Sequence, residues 1–324
     1  MAGSHSKYNW GARKASETAF ASGSGASAFD MTKLAALVGM AYPKSYSNSM
    51  YPIQRPLKDE LEAQDDDLYG GIELDSGWEN IDGDREEYVQ DSFYLDKIIS
   101  QITAGMASTP LSYAIHWQDH ILDATPANNR LRYESYGCYI NELDFNIKQP
   151  TGKKDGFPTW NIKDSCYATK YATTDGTTVD SLEKVTWLTN ATAPISTKAS
   201  YIIGGNPVSN IEGKLNIKLT WDKTIEAGDD ASKYPKLIRV DVVFTAKFRD
   251  VDQYRTLAEN LLKLNADESK YTIKITTGLA SCIPQITNMK VSVADLNGIP
   301  EKGLTTYDME FKSTYNSVLT KESS

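Results

Sequence analysis

Cysteine is nearly missing from this chain of 324 residues: Cys138, Cys166 and Cys282 stand singly and far apart. A disulfide framework and a closed zinc site both need paired ligands at short spacing, so neither is expected. The three read as reduced, buried, small apolar side chains. No run approaches 18 apolar residues, so no membrane-spanning helix is expected and no membrane partner. The opening MAGSHSKYNWGARKAS has no apolar stretch of the kind a secretory leader uses. The phosphate-cradling GxxxxGK[ST], a GxGxxG after a strand and the nucleophile-elbow GxSxG are all missing. Positive charge is in deficit as well. Asp plus Glu number 43 against 34 Lys plus Arg, a formal charge of −9 and a pI near 5.0, which argues against a protein that grips nucleic acid over its outer surface.

What the chain does have is a packed core's worth of apolar and aromatic material: 40% hydrophobic residues, including 19 Tyr and 6 Trp, more than a disordered chain carries. The first thirty residues are rich in Gly, Ala and Ser, with Tyr8, Trp10, Phe20 and Phe29 as possible anchors. They read as an arm (1–30), either mobile or laid against a neighbouring chain. The rest (31–324) reads as a single β domain. It opens on an apolar run, Thr32 to Tyr42, followed by breaks at Pro43, Pro52 and Pro56. Asp59 to Glu87 holds thirteen acids and one base, Arg85, so this segment alone carries −12 and leaves +3 to everything else. It reads as one long acidic loop or insertion (59–87) punctuated by Gly70, Gly71, Gly77 and Gly83.

From Pro110 onward the apolar residues recur every second position. Leu111, Tyr113, Ile115 and Trp117 share one face, and Tyr139, Leu143, Phe145 and Ile147 oppose Glu142, Asp144 and Asn146. The cleanest stretch sets Ile211, Leu215, Ile217, Leu219 and Trp221 against Glu212, Lys214, Asn216, Lys218 and Thr220. Further runs cover Ile238 to Phe248, Tyr271 to Ile275, Met289 to Val293 and Tyr307 to Phe311. One-sided alternation predicts antiparallel sheets, since parallel sheets are covered on both faces. Tyr254, Leu257, Ala258 and Leu261 follow helical spacing, with Asp250 and Gln253 as a capping box; Ser92 to Ile102 suits a short helix before Gly105 or a strand. The expected class is mainly β, an antiparallel barrel or sandwich with one flanking helix.

Candidate chemistry is thin. His116 and His120 would share a metal on a helix, but the alternation around them predicts a strand, where four residues span about 13 Å at roughly 3.3 Å each. No metal, no cofactor and no catalytic residue is therefore assigned. His5 has no partner nearby in sequence. Asp65 to Asp67 and Asp82 to Asp84 offer hard oxygen ligands, but not in the register of an EF-hand, leaving at most a weak calcium site. Carboxylate pairs for glycoside hydrolysis form in space and leave no local sign. Gly204 and Gly205, before Asn206 and Pro207, read as a turn. Asn190, Ala191 and Thr192 form a sequon of little meaning without secretion.

The order of elements resembles that of the major tail tube proteins of long-tailed double-stranded DNA phages and related viruses. The likeness rests on the arm KYNWGARKASETAFASGSG, then on Tyr136, Gly137, Cys138, Tyr139, Ile140 and Asn141 leading into Leu143 to Ile147, with Trp160 to Thr169 as hairpin partner. It continues through Ala191 to Gly205, Asn210 to Trp221, Ile238 to Phe248, a helix near Asp252 and closing strands from Tyr271 to Tyr315; the acidic segment departs from compact members. The resemblance implies a non-enzymatic subunit of the virion, assembled in the host cytoplasm. It further implies stacked hexameric rings with an inner β-barrel, scaffolding around a tape-measure protein, contact with tail terminator and baseplate or initiator proteins, and transient, non-specific passage of double-stranded DNA. A terminator or baseplate ring is the nearest alternative, and a carbohydrate-binding module using tyrosines as a sugar platform is another. An enzyme on a β-sandwich would need convergent titratable groups in a pocket.

Overall fold

The computed structural model describes residues 10–22, 45–49, 78–82, 85–89, 91–119, 131–148, 158–166, 168–173, 200–208, 210–222, 235–248, 252, 254–255, 270–276, 282–297 and 306–322. Among them are sixteen strands and one α-helix. The strands are β1 (Trp10–Ser16), β2 (Ser45–Ser49), β3 (Trp78–Asp82), β4 (Arg85–Tyr88), β5 (Tyr113–Asp119), β6 (Leu131–Lys148), β7 (Thr159–Cys166) and β8 (Ala168–Thr173). They continue with β9 (Ser200–Ile203), β10 (Asn206–Val208), β11 (Asn210–Asp222), β12 (Lys236–Phe248), β13 (Lys270–Thr276), β14 (Pro284–Asn297), β15 (Thr306–Lys312) and β16 (Leu319–Lys321); the helix, α1, is Phe93–Ala104.

Every pairing is antiparallel, as the one-sided alternation predicts. The main path runs β10-β9-β13-β14-β15-β12-β11-β6-β7-β3-β2. Its two ends do not pair with each other, so no closed barrel forms among the described residues. The sheet nevertheless curls: the Tyr201 hydroxyl of β9 donates to the Gly213 carbonyl of β11 at 3.0 Å, and its ring lies 5.1 Å from Phe244 of β12. Strands several places apart on the path thus face each other across one apolar core that includes Phe145, Trp160, Leu215, Ile217, Phe244 and Phe311.

β6 is the pivot. Leu131 to Tyr136 pair with β8 and Arg132 to Cys138 with β5, whereas Tyr139 to Asn146 pair with β7 and Glu142 to Lys148 with β11. The change of partners falls at Gly137, whose φ of 65° is one that L side chains rarely adopt. A strand that bends at such a residue can serve two sheets, turning a corner between them.

α1 forms where Tyr94, Leu95, Ile98 and Gln101 fall on one buried stripe. The Phe93 amide donates to Asp91 Oδ1 at 3.0 Å, and Gly105, at φ 87°, ends the helix. Buried Gln101 ties down the exit: it donates to Ser108 Oγ (2.7 Å) and the Thr109 carbonyl (3.1 Å) and accepts from the Leu111 amide (2.6 Å). The same turn is stitched to β12 by Ala107 N–H to Leu237 O and Leu237 N–H to Ser108 O.

Several expectations change. Residues 10–22 are not a loose arm: β1 pairs with β5 of its own chain in seven registered positions, and Phe20 packs near Tyr139. The C-terminal part of the acidic segment is not loop, because β3 and β4 both pair with β7, and Glu79, Glu86 and Glu87 hold strand positions. Leu111 is 41% exposed, just outside the strand, while Ala114 is fully buried: the β5–β6 register shifts between Tyr113 and Ile115 and breaks the alternation there. Gly204 and Gly205, both at positive φ, make the expected two-residue hairpin turn between β9 and β10. Asp252, Tyr254 and Arg255 are helical, but the rest of the helix expected around them lies outside the described residues. So do Thr32 to Tyr42, most of the acidic segment, and the sequon.

Candidate functional site

The solvent-facing side of β7, β6, β11, β12 and β15 is the most elaborate polar surface among the described residues. Strand alternation puts Glu142 and Asp144 of β6, then Glu212, Lys214, Asn216 and Lys218 of β11, on this side, opposite the buried Leu143, Phe145, Leu215 and Ile217. Register then sets opposite signs beside each other. One row reads Lys163, Glu142, Lys218, Asp241 across four strands, and another reads Glu212, Lys247, Asp308 across three. Opposite charges directly across a pair of strands stabilise the register, and like charges there oppose it.

These groups are closely engaged. Lys163 Nζ lies 2.9 Å from Glu142, Lys214 Nζ 2.8 Å from Asp144, Lys247 Nζ 2.9 Å from Glu212 and Lys312 Nζ 2.9 Å from Glu310. Asn216 Nδ2 donates to both Glu142 Oε1 (2.6 Å) and Asp144 Oδ1 (2.5 Å), joining two pairs into one network. Asp144, only 6% exposed, is a carboxylate buried with its partners supplied. Burial pushes the Glu142 carboxyl up, but hydrogen bonds from Lys163 and Asn216 and the nearby lysine charges outweigh it and hold the group below the usual glutamate range. Hydrogen bonds from Lys312 and Ser292 do the same for Glu310. The Glu212 carboxylate holds Lys247 above its ordinary value. A trough of about 490 Å³ crosses this face between Asn146, Lys214, Lys247 and Glu310.

A surface of this kind presents charge without an excess of either sign and without a convergent nucleophile or base. No group of three or more His, Cys, Asp and Glu side chains able to hold a metal occurs among the described residues. His116 sits on β5 as the strand argument expects, in register with Arg13 and Glu134; His120 lies outside the described residues. Asp82 ends β3, and Asp65 to Asp67 and Asp84 are outside. Cys138 and Cys282 are buried thiols, and burial chiefly, with Asp91 and Asp96 adding, pushes the Cys282 thiol up to about 12, far from thiolate chemistry. Tyr94, Tyr113, Tyr139 and Tyr201 are core residues, whereas Tyr315 is fully exposed. Buried Tyr113 spends its hydroxyl on the carboxylate of buried Asp164.

A second cluster surrounds the start of α1. Lys14 of β1, its side chain 11% exposed, places Nζ 3.3 Å from Asp91 and 4.1 Å from the Tyr94 ring centre. Lys321 of β16 bridges to Asp96 and donates to Ser92 Oγ at 3.0 Å. Lys97 donates to the Ser112 carbonyl at 2.9 Å, burial lowering its pKa against the pull of Glu17, whose own carboxylate accepts from the Gly137 amide. The lysine and acid positions were visible in sequence, but nothing local pairs residues as distant as Ser92 and Lys321. The packing of α1 against β16 does so.

Comparison with protein-family models finds no matching family. Comparison with curated proteins finds no matching sequence.

Proposed function

We propose that this chain is a structural subunit, the tail tube protein of a long-tailed virus, whose copies close into stacked hexameric rings around a conduit for DNA. The observation that carries the reading is the polar face described above. DNA is held by cations that can release its counterions. Here Lys163, Lys214, Lys247 and Lys312 each have a carboxylate within 3 Å. A polyanion moving along such a face meets neither a row of free cations to hold it nor a wall of uncompensated acids.

The open strand path supports the same reading. Among the described residues its ends, β10 and β2, have no further strand partner, and closure by neighbouring copies would remove such exposed edges. Rings that close laterally and repeat axially are the economical use of a heterologous interface. The subunit itself contributes no catalysis; its partners are further copies, a tape-measure protein in the lumen, terminator and initiator proteins, and DNA in transit.

Mass photometry and negative-stain microscopy over a broad concentration range test the proposal. Rings or hollow tubes that fail to retain duplex DNA at about 150 mM salt are expected. Protein that stays strictly monomeric, even with tail-initiation partners, overturns it.

A further inference from the structure

We propose that the row formed by Lys270, Lys290 and Lys312, with Tyr315 beside it, is a docking face for an acidic helical segment of a partner protein. The proposal stands apart from the tube reading and does not need it.

The first observation is a break in the charge pattern. From β6 to β15 register sets lysine beside acid, but beyond β15 that rule fails. Lys312 of β15 lies directly opposite Lys290 of β14, and Lys290 lies directly opposite Lys270 of β13. Direct partners share a face, so three lysines stand side by side, and like charges so placed oppose the pairing of their own strands. The carboxylate on Lys312 is that of Glu310, two residues back along the same strand. Lys290, half-buried between the other two, has no ion pair among the described residues. A sheet that balances its charges elsewhere leaves room for negative charge here.

The second observation is an exposed aromatic ring on a fixed support next to that row. Tyr315 is fully exposed and Val318 is 52% exposed. Their turn is tied to β14: the Thr314 and Ser317 hydroxyls both donate to the Asn288 carbonyl at 3.0 Å, and Asn288 Nδ2 donates to the Asn316 carbonyl at 2.8 Å. Asn288, at φ 56°, lies two residues from Lys290, so one residue holds the turn against the strand that carries the central lysine. An aromatic side chain on a rigid turn loses little freedom on binding and suits the role of anchor.

Spacing selects the occupant. Neighbouring strands lie about 4.8 Å apart, so side chains along the row follow in steps of about 5 Å. Helical residues three or four apart have Cβ atoms about 5–6 Å apart, whereas same-face residues of a strand are roughly 6.7 Å apart. A helix laid across the strands with acids at i, i+4 and i+7 therefore offers each lysine a carboxylate. An apolar residue one turn further, at the Lys312 end, comes within reach of Tyr315. Arginine forks, the usual choice for phosphate, have no place in the row.

The probe is a fluorescent, alanine-based peptide of about 16 residues with Glu at i, i+4 and i+7 and Leu one turn beyond, read by anisotropy against the full chain. A scrambled peptide of the same composition is the control. The ordered peptide should bind about tenfold more tightly than the scrambled one, and more weakly as salt rises. Lys290→Glu should weaken binding about 10- to 100-fold while the thermal midpoint holds or rises, since a glutamate between two lysines relieves their repulsion. Tyr315→Ala should weaken binding several-fold with the midpoint unchanged. Absence of binding, or equal binding of ordered and scrambled peptides, overturns the proposal. A lowered midpoint in Lys290→Glu also overturns it, by showing that this lysine already serves the fold. Displacement of the peptide by duplex DNA or tripolyphosphate at lower concentration than by unlabelled peptide assigns the row to phosphate and overturns the helical partner. Rings or tubes in the same samples bear on the tube reading alone.

Discussion

Around the C-terminal half of β6, order comes from volume: Phe145, Trp160, Leu215, Phe244 and Phe311 fill one core, and the charges on the far face keep the strands in register. Around the sheet of β1 and β5 contacts of another kind appear: a lysine over an aromatic ring, a glutamate on a backbone amide, and Ala15 packed on Ala114. The first kind is cooperative, since every side chain touches several others. The second rests on a few discrete contacts, the kind of region expected to open at lower cost than a packed core.

The contrast can be broken most forcefully at Phe244. Phe244→Ala removes a fully buried ring that meets Tyr201 and Phe311, and should cost about 3–5 kcal/mol of global stability by chemical denaturation. A loss well under 1 kcal/mol would mean the curled sheet is not closely packed. Next comes Gly213, where a Cβ would sit 2.5 Å from Tyr201 Cζ. Gly213→Ala should cost about 1–3 kcal/mol, and Tyr201→Leu should recover part of it if the two layers truly meet there. Lys14→Ala should behave differently in kind. Amide exchange in residues 10–16 should quicken on the order of tenfold while the global midpoint stays within experimental scatter; a matching global loss would show that β1 is not a separate unit.

The smallest effect concerns acid. Glu142 and Glu310 are held below the ordinary glutamate range in the folded chain. Their contribution is therefore fully present above about pH 4.5 and fades as pH falls through the folded values. Stability should be level from pH 7 to 5 and decline below, and Glu142→Gln should shallow that decline; an unchanged slope would show the network contributes little.

Much of this architecture is legible in the sequence because period-two alternation is a local property. β11, β12, β13 and β15 fall where the alternation places them, and α1 falls where the Phe93 to Ile102 spacing allows a helix. What escaped depends on partners. β1 is short, Gly- and Ala-rich and polar, so only the β5 edge makes it a strand. Leu111 sits on the apolar side of a pattern that a register shift interrupts, and Asp144 sits on the polar side yet is buried by Lys214 and Asn216. The charge rows could not be read either, because each member comes from a different strand and only register aligns them.

The acids on the polar face of β6 also bear on how the chain is made. β7 follows soon after β6, but the other edge of β6 waits for β11, whose Asn216 lies 74 residues beyond Glu142. At a synthesis rate of about 5–20 residues per second, that edge stands open for roughly 4–15 s. Nascent chains on the same message offer it identical β6 strands in that interval. Antiparallel self-pairing centred on Leu143 would set Glu142 against Asp144, carboxylate against carboxylate, twice in each pair. Lys163 arrives early with β7 and pairs with Glu142, whereas Lys214, the partner of Asp144, arrives only with β11, so Asp144 keeps its uncompensated charge on the open edge until the native strand supplies the lysine.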